Sequence, residues 1–284
     1  MAATLYGLIT VGGQFFANLG FSLYEIACLI FFYAVPLTPL VVVKKNYRIS
    51  PQDIPFFITF GFIGAGLQIG QFTGIVLGVP VAIVALLLYS QPIWTTALGR
   101  IFLREELTLK KVSAIILAVL GIVILMDPFG PQQKFSSVGL GAAVCAGIFF
   151  SFWVIWGRKS ALRDKHFVTT TFGYALFSSL WLFLAYPLVH TFVRDPILTN
   201  LRVRQYFEFG WAVAGYALFA GLLPNLLAFA GLKKVQASMA GVLLLFEPVS
   251  AAILAFFFFA QPLTPNILIG GALILFANYV VLRF

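Results

Sequence analysis

The chain has 284 residues, 61% hydrophobic and 10% charged, with a mean hydropathy of +1.02 and a formal net charge of +9. Soluble domains carry roughly a quarter charged residues, so that class is excluded. The basic residues sit in separate short connectors rather than one patch, which argues against nucleic acid and for orientation in a lipid bilayer.

The apolar residues come in blocks of helical length. In lipid every backbone polar group must be satisfied within the protein, and helices do this at such lengths. A β-barrel needs alternating apolar and polar residues, which Val81–Leu88 lacks. The expected class is therefore an all-α integral membrane protein. Ten spans are predicted in chain order. The first five are Ala3–Leu19, Leu23–Val43, Ile54–Leu77, Val79–Phe102 and Leu109–Met126. The second five are Val138–Trp156, Val168–Val189, Phe209–Leu232, Val235–Ala260 and Asn266–Leu282. Met1–Phe16 lacks a basic n-region, so no cleavable leader is expected and the first helix is kept. Breaks such as Gly78-Val79-Pro80 and Gly231–Val235 are tight, which makes consecutive helices antiparallel neighbours. The long polar connector Thr191–Glu208 is expected outside the membrane, with room for a short surface helix.

Basic residues orient the spans. With a cytoplasmic N-terminus the inner connectors hold fourteen of the 18 Lys and Arg residues, among them Lys44, Lys45, Lys110, Lys111, Lys233 and Lys234. The outer ones hold only Lys134, Arg194, Arg202 and Arg204. The positive-inside rule selects this orientation, with both termini cytoplasmic.

The connector with Pro128, Gly130 and Pro131 divides the chain into a repeat over 1–127, a loop over 128–137 and a second repeat over 138–284. Five spans per half invert the second half relative to the first. Val79–Leu125 lies on Val235–Val281 without a gap, at a constant offset of 156 residues. Gln91-Pro92 then falls on Glu247-Pro248, Leu88 on Leu244, and Leu107-Thr108 on Leu263-Thr264. A duplicated hydrophobic unit with polar groups and prolines at matched mid-membrane positions is the pattern of a secondary transporter.

The polar and aromatic residues inside the spans are the candidates for a substrate site. Gln68 and Phe72 stand in the third span, and Tyr89, Gln91 and Trp94 surround Pro92 in the fourth. Phe150 and Trp153 are one turn apart in the sixth, and Asn225 follows Pro224 in the eighth. Pro92 and Pro248 each remove a backbone hydrogen bond, freeing the carbonyls of Leu88 and Leu244. Amides orient a zwitterion, and aromatic faces suit an apolar ring or a cation. The same residue types also pack helices together, so both readings stay open. Glu247 has three: a buried, protonated carboxyl, a proton-coupling site, or a counter-charge for a substrate amine. Glu25 is expected near the outer membrane edge, within reach of water, and His190 is expected to be solvated there. Cys28 and Cys145 fall inside spans and are read as small core residues, with no disulfide or metal motif.

The run Phe102-Leu-Arg-Glu-Glu-Leu-Thr-Leu-Lys-Lys-Val, followed by the aliphatic Ser113–Leu125, resembles the end of a repeat in the EamA branch of the drug/metabolite transporter superfamily. That family pattern has a Gly-Glu, then Leu-Thr, then a final aliphatic helix. Here Glu105 or Glu106 stands for the glutamate, and the second copy has Gln261-Pro262 before Leu263-Thr264. The aromatic residues around Gln91 are most similar to the bacterial aromatic-amino-acid exporters. The resemblance implies a ten-helix exporter of the bacterial inner membrane, moving amino acids or other small metabolites through a central cavity by alternating access. A broad drug or metabolite efflux pump is the alternative. A membrane-embedded enzyme is disfavoured, because the sequence has no HExxH, GxSxG or P-loop. No cofactor is expected, and no ATPase subunit is required.

Overall fold

The computed structural model describes residues 1–77, 79, 84, 87–106, 108–126, 136–259 and 264–282. Gly78 and Pro80 of the tight break, Leu107, the connector residues 127–135, Gln261, Pro262, Leu263 and Arg283 lie outside the described residues. Among the described residues the chain is all helix, with no strand.

The first half contains α1 (Ala2–Asn18), then a segmented second span of α2 (Leu23–Cys28), α3 (Phe31–Ala34) and α4 (Thr38–Val43). Pro36 and Pro39 lie in that span, and a short 3-10 turn separates α3 from α4. There follow α5 (Ile54–Val76), α6 (Gln91–Leu103) and α7 (Leu109–Met126). The second half contains α8 (Ser137–Leu162), α9 (Phe167–Phe192), α10 (Pro196–Thr199), α11 (Val203–Glu208), α12 (Gly210–Tyr216) and α13 (Leu223–Gly231). It closes with α14 (Ala237–Leu244), α15 (Phe246–Phe259) and α16 (Pro265–Leu282). Five described segments are long and apolar enough to cross a membrane: Leu23–Val43, Lys45–Gly74, Ser137–Leu162, Phe167–Phe192 and Gly210–Gly231.

Two expected spans are not continuous helices. Val79–Phe102 turns at Tyr89-Ser90 before α6 starts at Gln91, and Val235–Ala260 breaks at Leu245 between α14 and α15. Each proline therefore sits in the first turn of a new helix, where its missing N–H has no partner to lose. The connector before α12 holds two short helices, α10 and α11, rather than one.

The helices pack in matched pairs. α1 lies against α15, and α8 against α6; α5 packs on α8, and α13 on α1. α7 pairs with α16, and α14 with α6. α9 shows how such a protein is built inside out. Its buried face carries Thr169, Thr170, Thr171, Ser178 and Ser179, while Phe183, Leu184 and Leu188 are exposed. Thr170, Thr171 and Ser179 donate to the carbonyls of His166, Phe167 and Ala175 four residues earlier, so they are buried without an orphaned proton. Cys28 is buried as expected, but Cys145 is exposed, because it lies on the outward face of α8, opposite Ala143 and Ala146.

Candidate functional site

Three helix breaks meet at the centre of the bundle. Between α12 and α13 the backbone passes through a π-helical turn, Ala217–Leu222, immediately before Pro224 and Asn225. A π turn re-aims the side chains that follow it and exposes backbone carbonyls. Asn225 Nδ2 donates to the Gly221 carbonyl at 2.8 Å, and its Oδ1 accepts from the Tyr6 hydroxyl of α1 at 3.2 Å. Gly221 is required by the close approach of Tyr33, whose ring would lie 2.1 Å from a Cβ there. At the α14–α15 break Glu247 is buried, with Tyr89 of the break before α6 beside it.

These groups surround a cavity of about 40 Å³, walled by Tyr6, Tyr33, Gln68, Gln71, Phe150, Trp153, Tyr174, Asn225 and Glu247. Among the described residues Glu247 carries the one carboxylate in that wall. A water needs about 10–15 Å³ of such space, so the cavity holds a few waters and no more. Trp153 is the centre of an aromatic cluster. Its ring lies 4.9 Å from Phe229, 5.8 Å from Phe150, and 6.1 Å from both Tyr6 and Tyr174. Its indole N–H approaches the Tyr174 hydroxyl without meeting hydrogen-bond geometry, which leaves a donor in the wall.

Trp153 also borders a second cavity, of about 580 Å³. Its walls include Leu227, Leu232, Val235, Leu244, Phe246 and Leu275, and it reaches Met1–Thr4 at one end of the molecule. Among the described residues no charged side chain lines it.

Of the residues singled out in the sequence, the structure gathers Gln68, Phe150, Trp153, Asn225 and Glu247 around the small cavity, with Tyr89 behind Glu247. The others lie elsewhere. Phe72 is buried against Gly13, where a Cβ would meet its ring at 2.9 Å. Gln91 is fully buried between helices, donating to Thr95 and facing Gly241, while its carbonyl accepts from Ser151 at 2.9 Å. Trp94 is 38% exposed and donates to Ser90. It shares the outward face of α6 with Ile101, seven residues on. Tyr6, Tyr33 and Tyr174 were not singled out. Each is an amphipathic aromatic in an otherwise apolar span, which is the signal that marks them.

Carboxylates tie the two halves together at both ends. At one end Glu25 is fully buried, contrary to its expected access to water, because the Asn200–Gln205 segment folds over it. It accepts from Ser22 N at 2.7 Å, Arg202 N at 2.6 Å, and the Arg202 guanidinium at 3.1 and 3.2 Å. That bonding raises the Arg202 pKa and keeps it charged. His190, at the same end, is exposed as expected. At the opposite end Glu105 caps α14, accepting from Ala237 N at 2.6 Å, Ser238 N at 3.1 Å and Ser238 Oγ at 2.6 Å. The connectors assigned to the inner side gather at this end too. Lys165 pairs with Asp53 at 2.5 Å, and Arg158 donates to the Leu232 carbonyl at 2.6 Å.

Residues 1–127 and 137–283 match the EamA-like transporter family. The chain belongs to that family. It is 28% identical to an uncharacterized transporter of Archaeoglobus fulgidus, over 86% of this chain and 83% of that protein. It is 25% identical to a probable terminal-alkyne amino-acid exporter of Streptantibioticus cattleyicolor, over 95% of this chain and 86% of that one. A crystal structure shares the fold at a TM-score of 0.71 and 17% identity, covering 98% of this chain and 95% of its own. Arg104 ends α6 with φ +55°, and the left-handed turn there is followed by Glu105, which reaches α14.

Proposed function

We propose that this EamA-like protein is a secondary transporter exporting amino acids with apolar or aromatic side chains by alternating access. The reading has ten spans as two inverted repeats, 1–127 and 138–284, joined by 128–137, with both termini cytoplasmic in a bacterial inner membrane. Its support is the matched helix pairing, the gathering of the basic connectors at one end, and the repeat offset of 156 residues. An ion or substrate gradient drives it, with no ATPase subunit.

The observation that carries the substrate class is the pair of cavities divided by Trp153. Asn225, Gln68 and Gln71 present acceptors and donors for an ammonium and a carboxylate, and the larger cavity offers a wall without charged side chains to a substrate side chain. The small cavity is too tight for an amino acid, so this is a closed form and Trp153 must move to admit substrate. The uncharged wall equally favours a broad efflux pump, and competition separates the two. In liposome counterflow, labelled aromatic amino acids should exchange, with unlabelled apolar amino acids competing and hydrophobic cations not. Trp153→Ala and Asn225→Ala should each lower exchange by about tenfold or more, with folded protein retained. Full activity in both variants would place the pathway elsewhere. Glu247→Gln should keep exchange, because an amide keeps the shape and the acceptor oxygen of a carboxyl; loss of exchange would instead assign Glu247 to the substrate amine.

A further inference from the structure

Beside the Glu105 clasp lies a groove of about 660 Å³ that the transport reading does not use. It runs between the start of α7, the loop before α14 and the end of α16. Among the described residues its charged lining is Lys110, Lys111 and Lys234, with Glu106 the one acidic residue, an excess of two positive charges. Its apolar lining is Leu109, Val235, Met239 and Val280, and Leu109 is 85% exposed. Lys111 is held in place without being neutralised: its ammonium donates to the Glu106 carbonyl at 2.7 Å and to the Gln236 side chain, leaving a third N–H. Lys234 has no side-chain partner among the described residues, whereas its neighbour Lys233 faces Asp164 at 3.6 Å.

We propose that this groove binds an anionic phospholipid, with the headgroup phosphate among the three lysines and an acyl chain along the apolar wall. Basic pockets between helix ends at the membrane surface take phosphate headgroups, and the apolar wall distinguishes a lipid from a free phosphate. The headgroup would bridge Lys110 and Lys111 to Lys234, joining the two segments that Glu105 already joins. Bound lipid would therefore hold this end closed.

The test is native mass spectrometry on delipidated full-length protein offered equal phosphatidylglycerol and phosphatidylcholine. One phosphatidylglycerol should be retained in preference. Each lysine near the surface is worth about 1 kcal/mol, or about fivefold in affinity. Lys234→Gln should thus weaken the preference about fivefold, and the triple variant Lys110→Gln/Lys111→Gln/Lys234→Gln should abolish it. Lys44→Gln/Lys45→Gln, at another basic connector, should leave it intact. If the triple variant does not fold, Lys234→Gln carries the test, since its side chain has no hydrogen-bond or ion-pair partner among the described residues. Equal retention of phosphatidylcholine, or no change in Lys234→Gln, overturns the proposal. Displacement of the lipid by millimolar inorganic phosphate also overturns it, by making the ligand a soluble anion. Liposome exchange tests the transport reading separately, because a transporter without lipid preference still exchanges.

Discussion

At the end carrying α10 and α11, Glu25 takes four hydrogen bonds, two of them from the Arg202 guanidinium. At the opposite end Glu105 takes three, none from a charged group. Both carboxylates come from the first half and both hold backbone N–H groups of the second. They differ in what release requires. Glu25 is fully buried, so opening that end strands a charge unless water follows it in. Glu105 is only half-buried and lets go of neutral donors that water can satisfy at once. On the alternating-access reading, the Glu105 end is the easier one to open.

Breaking the buried clasp should have the largest effect. Glu25→Ala leaves the Ser22 and Arg202 N–H groups without their acceptor and releases the connector over it. Removing one partner of a buried pair costs about 3–5 kcal/mol. Arg202 is 51% exposed and can turn to water, so the lower figure applies, about 3 kcal/mol in thermal unfolding in detergent. A loss below about 1 kcal/mol would show that water already reaches Glu25, and the contrast between the ends would fail.

Glu105→Ala should cost less, about 1–2 kcal/mol, as loss of a helix cap does. Hydrogen exchange should rise at the Ala237 and Ser238 amides and stay unchanged at Ser22 and Arg202. Faster exchange at both ends in this variant would mean that the clasps are not independent.

The sequence made the polar positions of the spans legible, because a Gln, Asn or Glu stands out against an apolar run. Five of the candidates meet at the cavity: Gln68, Phe150, Trp153, Asn225 and Glu247. What stayed hidden was helix rotation. Gln91 matches Glu247 in the repeat, yet Gln91 packs on Gly241 while Glu247 borders the cavity. A helix that restarts after a break resets its facing, so linear register no longer determines which side a residue presents. The aromatic faces were hidden for the same reason: Phe72 and Trp153 look alike in sequence, and only tertiary packing separates them. Glu25 was misread because its partner Arg202 lies 177 residues away, in a connector whose folding no local pattern reveals.

The smallest effect is also the most specific. Arg104 ends α6 in a left-handed conformation, φ +55° and ψ +35°, and Glu105 N closes the turn on the Gly99 carbonyl at 3.3 Å. This is the geometry in which glycine is favoured at a helix C-terminus. A non-glycine residue there is strained by about 1–2 kcal/mol, partly offset because glycine gains more freedom when unfolded. Arg104→Gly should therefore stabilise the protein by about 0.5 kcal/mol, a rise of about 1–2 °C in Tm. Arg100→Gly, one turn earlier within α6, should do the opposite and cost about 1 kcal/mol. The pair isolates backbone conformation from charge, since each variant removes one arginine from the same end. If both variants destabilise alike, the Arg104 guanidinium contributes more than its backbone costs, and the turn does not by itself set the aim of Glu105. Opposite signs would tie the Glu105 clasp to the left-handed turn that positions it.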